Sequence, residues 1–232
     1  MIRILTSGAA VNVYLVLLGS LFGLALRRTF PEKIKNALMN ALALCVLYIG
    51  LDGIVGQPVR PMVVILSMVL GTALGTLCHL DDGINALGKK VEGLLTKNGG
   101  ENTVAEGFVS ATLLFCVGAM TVVGSINAGV SGDNSTLYAK SMLDLVSSAA
   151  LASSLGVGVV LAALPVLLIE GGLTLLASFV EPILTEDIIL HLSATGSLLI
   201  VALALNMLKL TKIKVMDLFP AILLPILFCH IL

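Results

Sequence analysis

Tryptophan is absent from the 232 residues, and Asp, Glu, Lys and Arg together make up only 12% of them. Soluble domains carry roughly 25% charged residues, so this scarcity excludes an ordinary soluble domain. The missing Trp also removes the strongest interfacial anchor of a membrane protein, leaving Tyr14, Tyr48, Tyr138 and the basic residues for that role. Net charge is −1, which offers no basic surface for nucleic acid, so no nucleic-acid partner is expected. Cys45, Cys78, Cys116 and Cys229 lie apart in apolar segments without CxxC spacing, which fits small buried hydrophobes better than a redox pair or zinc site. Enzyme signatures are missing as well: there is no HExxH, GxSxG, Walker A loop or GxGxxG. Ser131-Gly132-Asp133 falls short of the Gly-x-Gly-Asp motif of intramembrane aspartyl proteases. Adjacent Lys140 and Ser141 point about 100° apart on a helix and make no dyad. No catalytic residue, metal or cofactor is therefore expected.

What fills the chain is apolar sequence, 58% of the residues, with a mean hydropathy of +1.09. A helix needs about 20 apolar residues to cross the hydrocarbon core. Candidate spans are 8–27, 34–56, 59–79, 105–127, 138–156, 158–181, 187–208 and 214–232. The N-terminal run lacks a cleavage-site pattern before Arg27-Arg28 and reads as a retained first span.

Basic residues decide the count. Arg27, Arg28, Lys33 and Lys35 follow span one; Lys89, Lys90 and Lys97 follow span three; Lys209, Lys212 and Lys214 follow span seven. Eight spans place all three loops in the cytoplasm and both termini outside, whereas dropping 138–156 would turn the last basic loop outward. Within 81–97, Ile84, Leu87, Val91, Leu94 and Leu95 recur at helical spacing among lysines, which predicts an amphipathic helix on the inner surface, ended by Asn98-Gly99-Gly100.

The first and last three spans resemble each other. GSLFGLAL (19–26) aligns with GGLTLLAS (171–178), residues 32–52 align with 186–206, and Leu77-Cys78-His79 aligns with Phe228-Cys229-His230. The predicted topology makes the two units inverted, as in many alternating-access transporters. The expected fold is an all-α polytopic membrane protein: one transmembrane domain, 1–232, of about eight helices. It divides into a first repeat (1–80), a cytoplasmic amphipathic segment (81–104), two central helices (105–156) and a second repeat (157–232). In this arrangement His79 and His230 lie on opposite faces and cannot share a metal ion.

The central block interrupts this apolar pattern. Lys140, Asp144, Ser147, Ser148 and Ser154 fall close to one helical stripe, and Ser141 can cap the helix start. An ionisable side chain inside a bilayer costs about 2.5–3.5 kcal/mol on the insertion scale. Two readings stay open. In one, the stripe lines a solvated pathway on which Asp144 binds a cation or carries a proton. In the other, Lys140 and Asp144 satisfy each other and the serines pack helices. Lys140 is expected to snorkel to the outer interface. Further along, Pro165 and Glu170-Gly171-Gly172 suggest a broken helix beside a carboxylate, or a kinked packing helix with Glu170 paired. Asn12, the GxxxG pair Gly19/Gly23 and Ser125 in the Gly-rich run 124–137 complete the candidates.

FCVGAMTVVGSINAGVSGD (115–133), KSMLD (140–144), the run 150–159 and ALPVLLIEGGLTLLA (163–177) resemble the bacterial membrane proteins catalogued as domain of unknown function 554. Asn12 followed by LGSLFGL fits the same family, so the resemblance covers essentially the whole chain. It implies a multi-pass protein of the bacterial inner membrane, of a family labelled as candidate transporters with no settled substrate. Where members often carry Gln before the double glycine, this chain has Glu170, which weighs against an essential charge there.

The expected function is a membrane transporter or channel for an ion or small solute, working as a homo-oligomer, with a dimer as the first expectation. The pathway residues are Asp144, Ser141, Lys140, Ser147, Ser148, Glu170, Asn12 and Ser125. The alternative is an accessory or scaffolding membrane protein that assembles with a partner and transports nothing itself.

Overall fold

The computed structural model describes residues 7–27, 32–86 and 103–231. The later part of the expected amphipathic helix, with Lys89, Lys90, Lys97 and its Asn98-Gly99-Gly100 stop, lies outside them, as does Arg28. All regular structure among the described residues is helical. In chain order come α1 (Gly8–Arg27), α2 (Glu32–Asp52), α3 (Pro61–Leu77), α4 (Leu80–Ala86), α5 (Thr103–Cys116), α6 (Ala119–Val130) and α7 (Ser135–Leu155). They are followed by α8 (Gly158–Leu175), which is interrupted, then α9 (Ala177–Val180), α10 (Glu186–Met207), a 3-10 helix (Val215–Ile222) and α11 (Pro225–Ile231).

The breaks fall where backbone chemistry requires them. Gly118 has φ +141 and divides the expected span 105–127 into α5 and α6, with the Thr121 hydroxyl donating to the Phe115 carbonyl across the break (3.1 Å). Gly156, at φ +83, ends α7. A bend of 52° separates α3 from α4. Pro220 and Pro225 keep residues 214–232 from forming one α-helix, so the expected last span is a 3-10 helix followed by a seven-residue α-helix.

Helix α1 lies along α7 in the most extensive helix pair. Small residues allow it. A side chain at Gly19 would strike the Leu145 carbonyl and Ser148, and one at Gly23 would strike the Ala149 carbonyl. The same contacts give the direction. Gly8 meets Leu137, Gly19 meets Leu145 and Gly23 meets Ala149, so the two helices run parallel. The Gly8 N–H, an orphan donor at the helix start, donates to Asn134 Oδ1 at 2.7 Å. Gly71 and Gly75 of α3 similarly accept the backbone of Ala221 and Asp217, in antiparallel order.

These contacts sort the chain into two ends. At one, Arg60 pairs with Asp187, Gly129 packs against Thr174, and Ile126, Leu173 and Ile189 join one cluster with Leu184. At the other, Gly107 packs against Leu155, Lys214 binds Asp82 at 2.8 Å, and Asp81, Glu106 and Asn206 share one cavity wall. Arg27, Lys209 and Lys214 belong to this second end, whereas Asp133, Glu186 and Asp187 belong to the first.

Large apolar side chains cover the outside: Phe179 and Leu77 are each 77% exposed and Leu175 81%. Monomeric soluble proteins rarely expose contiguous apolar surface on this scale. Helices α1, Gly158–Leu175 and α10 have the length and apolarity to cross a bilayer, and the bent pairs α3–α4 and α5–α6 bring the count to as many as five. The chain is a helical membrane protein. These lengths do not reach eight, for identifiable reasons: α7 carries Lys140 and Asp144, α2 is apolar only from Met39, and the last segment is broken by proline. Of the four cysteines expected to be buried, Cys116 is, while Cys45 and Cys78 face outward.

Candidate functional site

Three elements converge on one buried polar cluster. Asn12 comes from α1, Lys140 and Asp144 from successive turns of α7, and Glu170 from α8. Lys140 and Asp144 share a face because four residues make about one turn. Glu170 reaches the cluster through a π-helical turn, Leu167–Gly171, directly after Pro165. Such single π-turns inside α-helices are frequent at functional sites. Proline and the following glycines thus produce the irregularity that their positions in the sequence suggest.

The Lys140 ammonium bridges the two carboxylates. It pairs with Asp144 Oδ2 and stands 3.1 Å from Glu170 Oε1. The Asn12 amide donates to the same two oxygens, at 2.9 Å to Asp144 Oδ2 and 2.8 Å to Glu170 Oε1. Asn12 and Glu170 are fully buried, and Lys140 and Asp144 are each 6% exposed. Two acceptors in the cluster have no hydrogen-bond partner: Asn12 Oδ1 and Glu170 Oε2. Charge is unbalanced too, with one ammonium facing two carboxylates. Cys116, at the end of α5, lies within electrostatic reach of all three charged groups.

Several expectations change here. Lys140 does not snorkel to the outer interface; it is buried and holds both carboxylates. Glu170, given less weight than Asp144, sits at the centre of the same cluster. The serines divide. Ser141 donates to the Leu137 carbonyl at 2.6 Å and Ser148 to the Leu145 carbonyl at 3.0 Å, so both hydroxyls are bound to their own helix. Ser147 is partly buried. Ser125 is fully buried on α6 with its hydroxyl unpartnered, and Ser154 Oγ is unpartnered as well.

Nearby space is apolar. A cavity of about 450 Å³ is lined by Val13, Phe108, Val160, Leu164 and Leu167, among others; Val13 adjoins Asn12 in the chain and Leu167 begins the π-turn that carries Glu170. A smaller cavity, about 220 Å³, lies at the basic end between Asp81, Asn85, Glu106 and Asn206. At that end Asp217, which no sequence motif singles out, is buried and accepts from the Asp81 N–H at 3.0 Å.

With the buried cluster placed, comparison with known proteins identifies the family. The model of the family described as "protein of unknown function (DUF554)" matches residues 7–230. The chain belongs to that family. It is 31% identical over 220 residues to the "Uncharacterized protein YqgA" of Escherichia coli (strain K12), covering 94% of this chain and 93% of that protein. It is 28% identical over 221 residues to the "Uncharacterized membrane protein YdfK" of Bacillus subtilis (strain 168), with the same coverage. No solved structure matches.

One group resembles a metal site. Single ligand atoms of Asp187, His191 and Cys229 lie within 4.8 Å of one another. Both imidazole nitrogens are already engaged, however. Nε2 accepts the Arg60 N–H at 2.7 Å, and Nδ1 faces the Asp187 carbonyl at 2.7 Å. The Arg60 guanidinium also occupies Asp187. His191 here locks α10 to the start of α3. His79 stands beside Asp82 at the basic end, and His230 adjoins Cys229 at the acidic end.

Proposed function

We propose that this chain is a membrane transporter or channel for an ion or small solute, with its polar pathway passing Asp144. The observation that carries this reading is the buried Asn12–Lys140–Asp144–Glu170 cluster in a bundle that otherwise presents apolar surface. Ionisable residues within membrane helices mark ion and substrate pathways. An interrupted helix beside such a residue is the usual construction of a transporter site.

In this reading the basic end faces the cytoplasm and the acidic end faces outward. All eight segments are spans in the proposed topology. Parallel α1 and α7, and antiparallel α3 and the 3-10 helix, fit the directions it requires. Support for the inverted repeat comes from pairing between counterparts: α2 packs on α10, and α3 packs on the 3-10 helix. A two-fold axis produces such pairing. Asn12 is four residues into α1 and Asp144 nine residues into α7, about 6 Å and 14 Å of helix from the acidic end. The cluster therefore sits in the outer half of the bundle. Exposed Tyr14, Tyr48 and Tyr138 fall near that same end, where they serve as interfacial anchors.

The test is flux through purified protein in proteoliposomes, comparing wild type with Asp144→Asn across a panel of ions and small solutes. A flux present in wild type and lost in the variant supports the reading. Flux that ignores the substitution removes Asp144 from the pathway, and no flux for any solute favours the accessory role.

A further inference from the structure

We propose that Glu170 is a proton-exchange site, so that the ion handled by the cluster is a proton carried on Glu170 Oε2. This deepens the transport reading by naming its ion, and its first test does not depend on transport.

Charge and hydrogen bonding point to the same atom. With Lys140, Asp144 and Glu170 all ionised, the buried cluster holds one excess negative charge, which a low-dielectric interior penalises heavily. Adding one proton removes that excess. Glu170 Oε1 is taken by Lys140 and Asn12, whereas Glu170 Oε2 has no partner and is fully buried. On the amide that already donates to Glu170, Oδ1 is likewise unpartnered. An acid–amide pair, with the amide N–H on one carboxyl oxygen and the acid O–H aimed at the amide oxygen, fills both empty acceptors at once.

A metal cation suits the site less well. The Lys140 ammonium already occupies the position between the carboxylates, and the two buried unpartnered oxygens are far fewer than the six or more ligands a hard cation collects. Asp144, held by both Lys140 and Asn12, acts as the fixed counter-ion of the lysine.

The charged and titratable groups around Glu170 are few. Helix α7 supplies Lys140 and Asp144, α5 supplies Cys116, α6 carries no ionisable residue, and α1 adds only outward-facing Tyr14 and the distant Arg27. The step is a simple exchange: the Oε2–H bond breaks, the electron pair stays on the carboxylate, and the proton passes to water. Re-protonation reverses it. The π-turn and the glycines beside Glu170 supply a backbone able to shift as the charge changes.

Infrared difference spectroscopy of the purified full chain tests this. Wild type at neutral pH is expected to show one protonated-carboxyl C=O band per chain, shifting on deuterium exchange. Glu170→Gln, the neutral isostere, removes the band, and Glu170→Asp moves it. Should the Gln variant fail to fold, Glu170→Asp serves instead, moving the band rather than abolishing it. A band that survives Glu170→Gln, or one that keeps its position in Glu170→Asp, overturns the proposal. A Glu170-dependent rise in melting temperature with sodium or potassium, without the band, overturns it in favour of a metal cation. If the band behaves as expected while no proton-driven flux is found in vesicles, the proton site stands and the transport reading falls.

Discussion

Replacing Lys140 by Met keeps an unbranched side chain of nearly the same length and removes the one cation that holds two buried carboxylates. Breaking a buried ion pair by deleting one partner costs about 3–5 kcal/mol, because the remaining charge is left unpaired in a poorly polarisable interior. For chains of 150–250 residues, 1 kcal/mol corresponds to roughly 2–4 °C in melting temperature. Lys140→Met is therefore expected to melt about 6–20 °C below wild type at neutral pH. Without Trp in the chain, far-UV circular dichroism in detergent is the suitable readout. The loss should shrink at acid pH, where protonation neutralises the carboxylate charge left without its cation. It should also shrink in Lys140→Met/Asp144→Asn, and most in the triple variant that adds Glu170→Gln. A single variant melting within about 2 °C of wild type at neutral pH would show that the ammonium does not hold the cluster together.

Other expectations follow from particular contacts. Asn12→Ala removes a donor shared by both carboxylates and should cost about 1.5–3 kcal/mol, the range for hydrogen bonds to charged groups; a smaller thermal shift than for an outward-facing alanine substitution contradicts the shared role. Gly19→Ala and Gly75→Ala place a methyl against the carbonyls of Leu145 and Asp217 and should each destabilise by about 1–3 kcal/mol, read as lowered melting temperature. Lys214 holds the Asp82 carboxyl below its ordinary value through a hydrogen bond and its charge. The pair's contribution is thus present above the ordinary Asp range and is lost as pH falls through the depressed value. The melting-temperature gap between wild type and Asp82→Asn should close on acidification, and a gap that persists at low pH refutes the assignment.

The helical membrane character was legible because bilayer crossing imposes long apolar runs, and long runs survive any detail of packing. Asp144, Lys140 and Glu170 were conspicuous for the same reason: charge is rare in such sequence. Their convergence was not legible, since no periodicity within one helix reports which face a second helix presents. Lys140 was expected at the interface from its position near the start of α7. It is buried instead because Glu170, 30 residues on, supplies a second carboxylate that no local rule could pair with it. Pro165 and the double glycine forecast a break in α8 but not its π-helical form. Gly118 gave less warning, and the break between α5 and α6 was read as continuous helix. Asp217 was overlooked because its partner, the Asp81 N–H, lies 136 residues away.

Current across a solid-supported bilayer holding the purified protein tests the central claim most directly, with an inward proton gradient applied to wild type, Asp144→Asn and Glu170→Gln. Transport through the buried cluster predicts a wild-type current above that of protein-free membranes, abolished by either substitution. Membranes with folded wild type that stay as tight as protein-free ones, or variants that conduct like wild type, would contradict it.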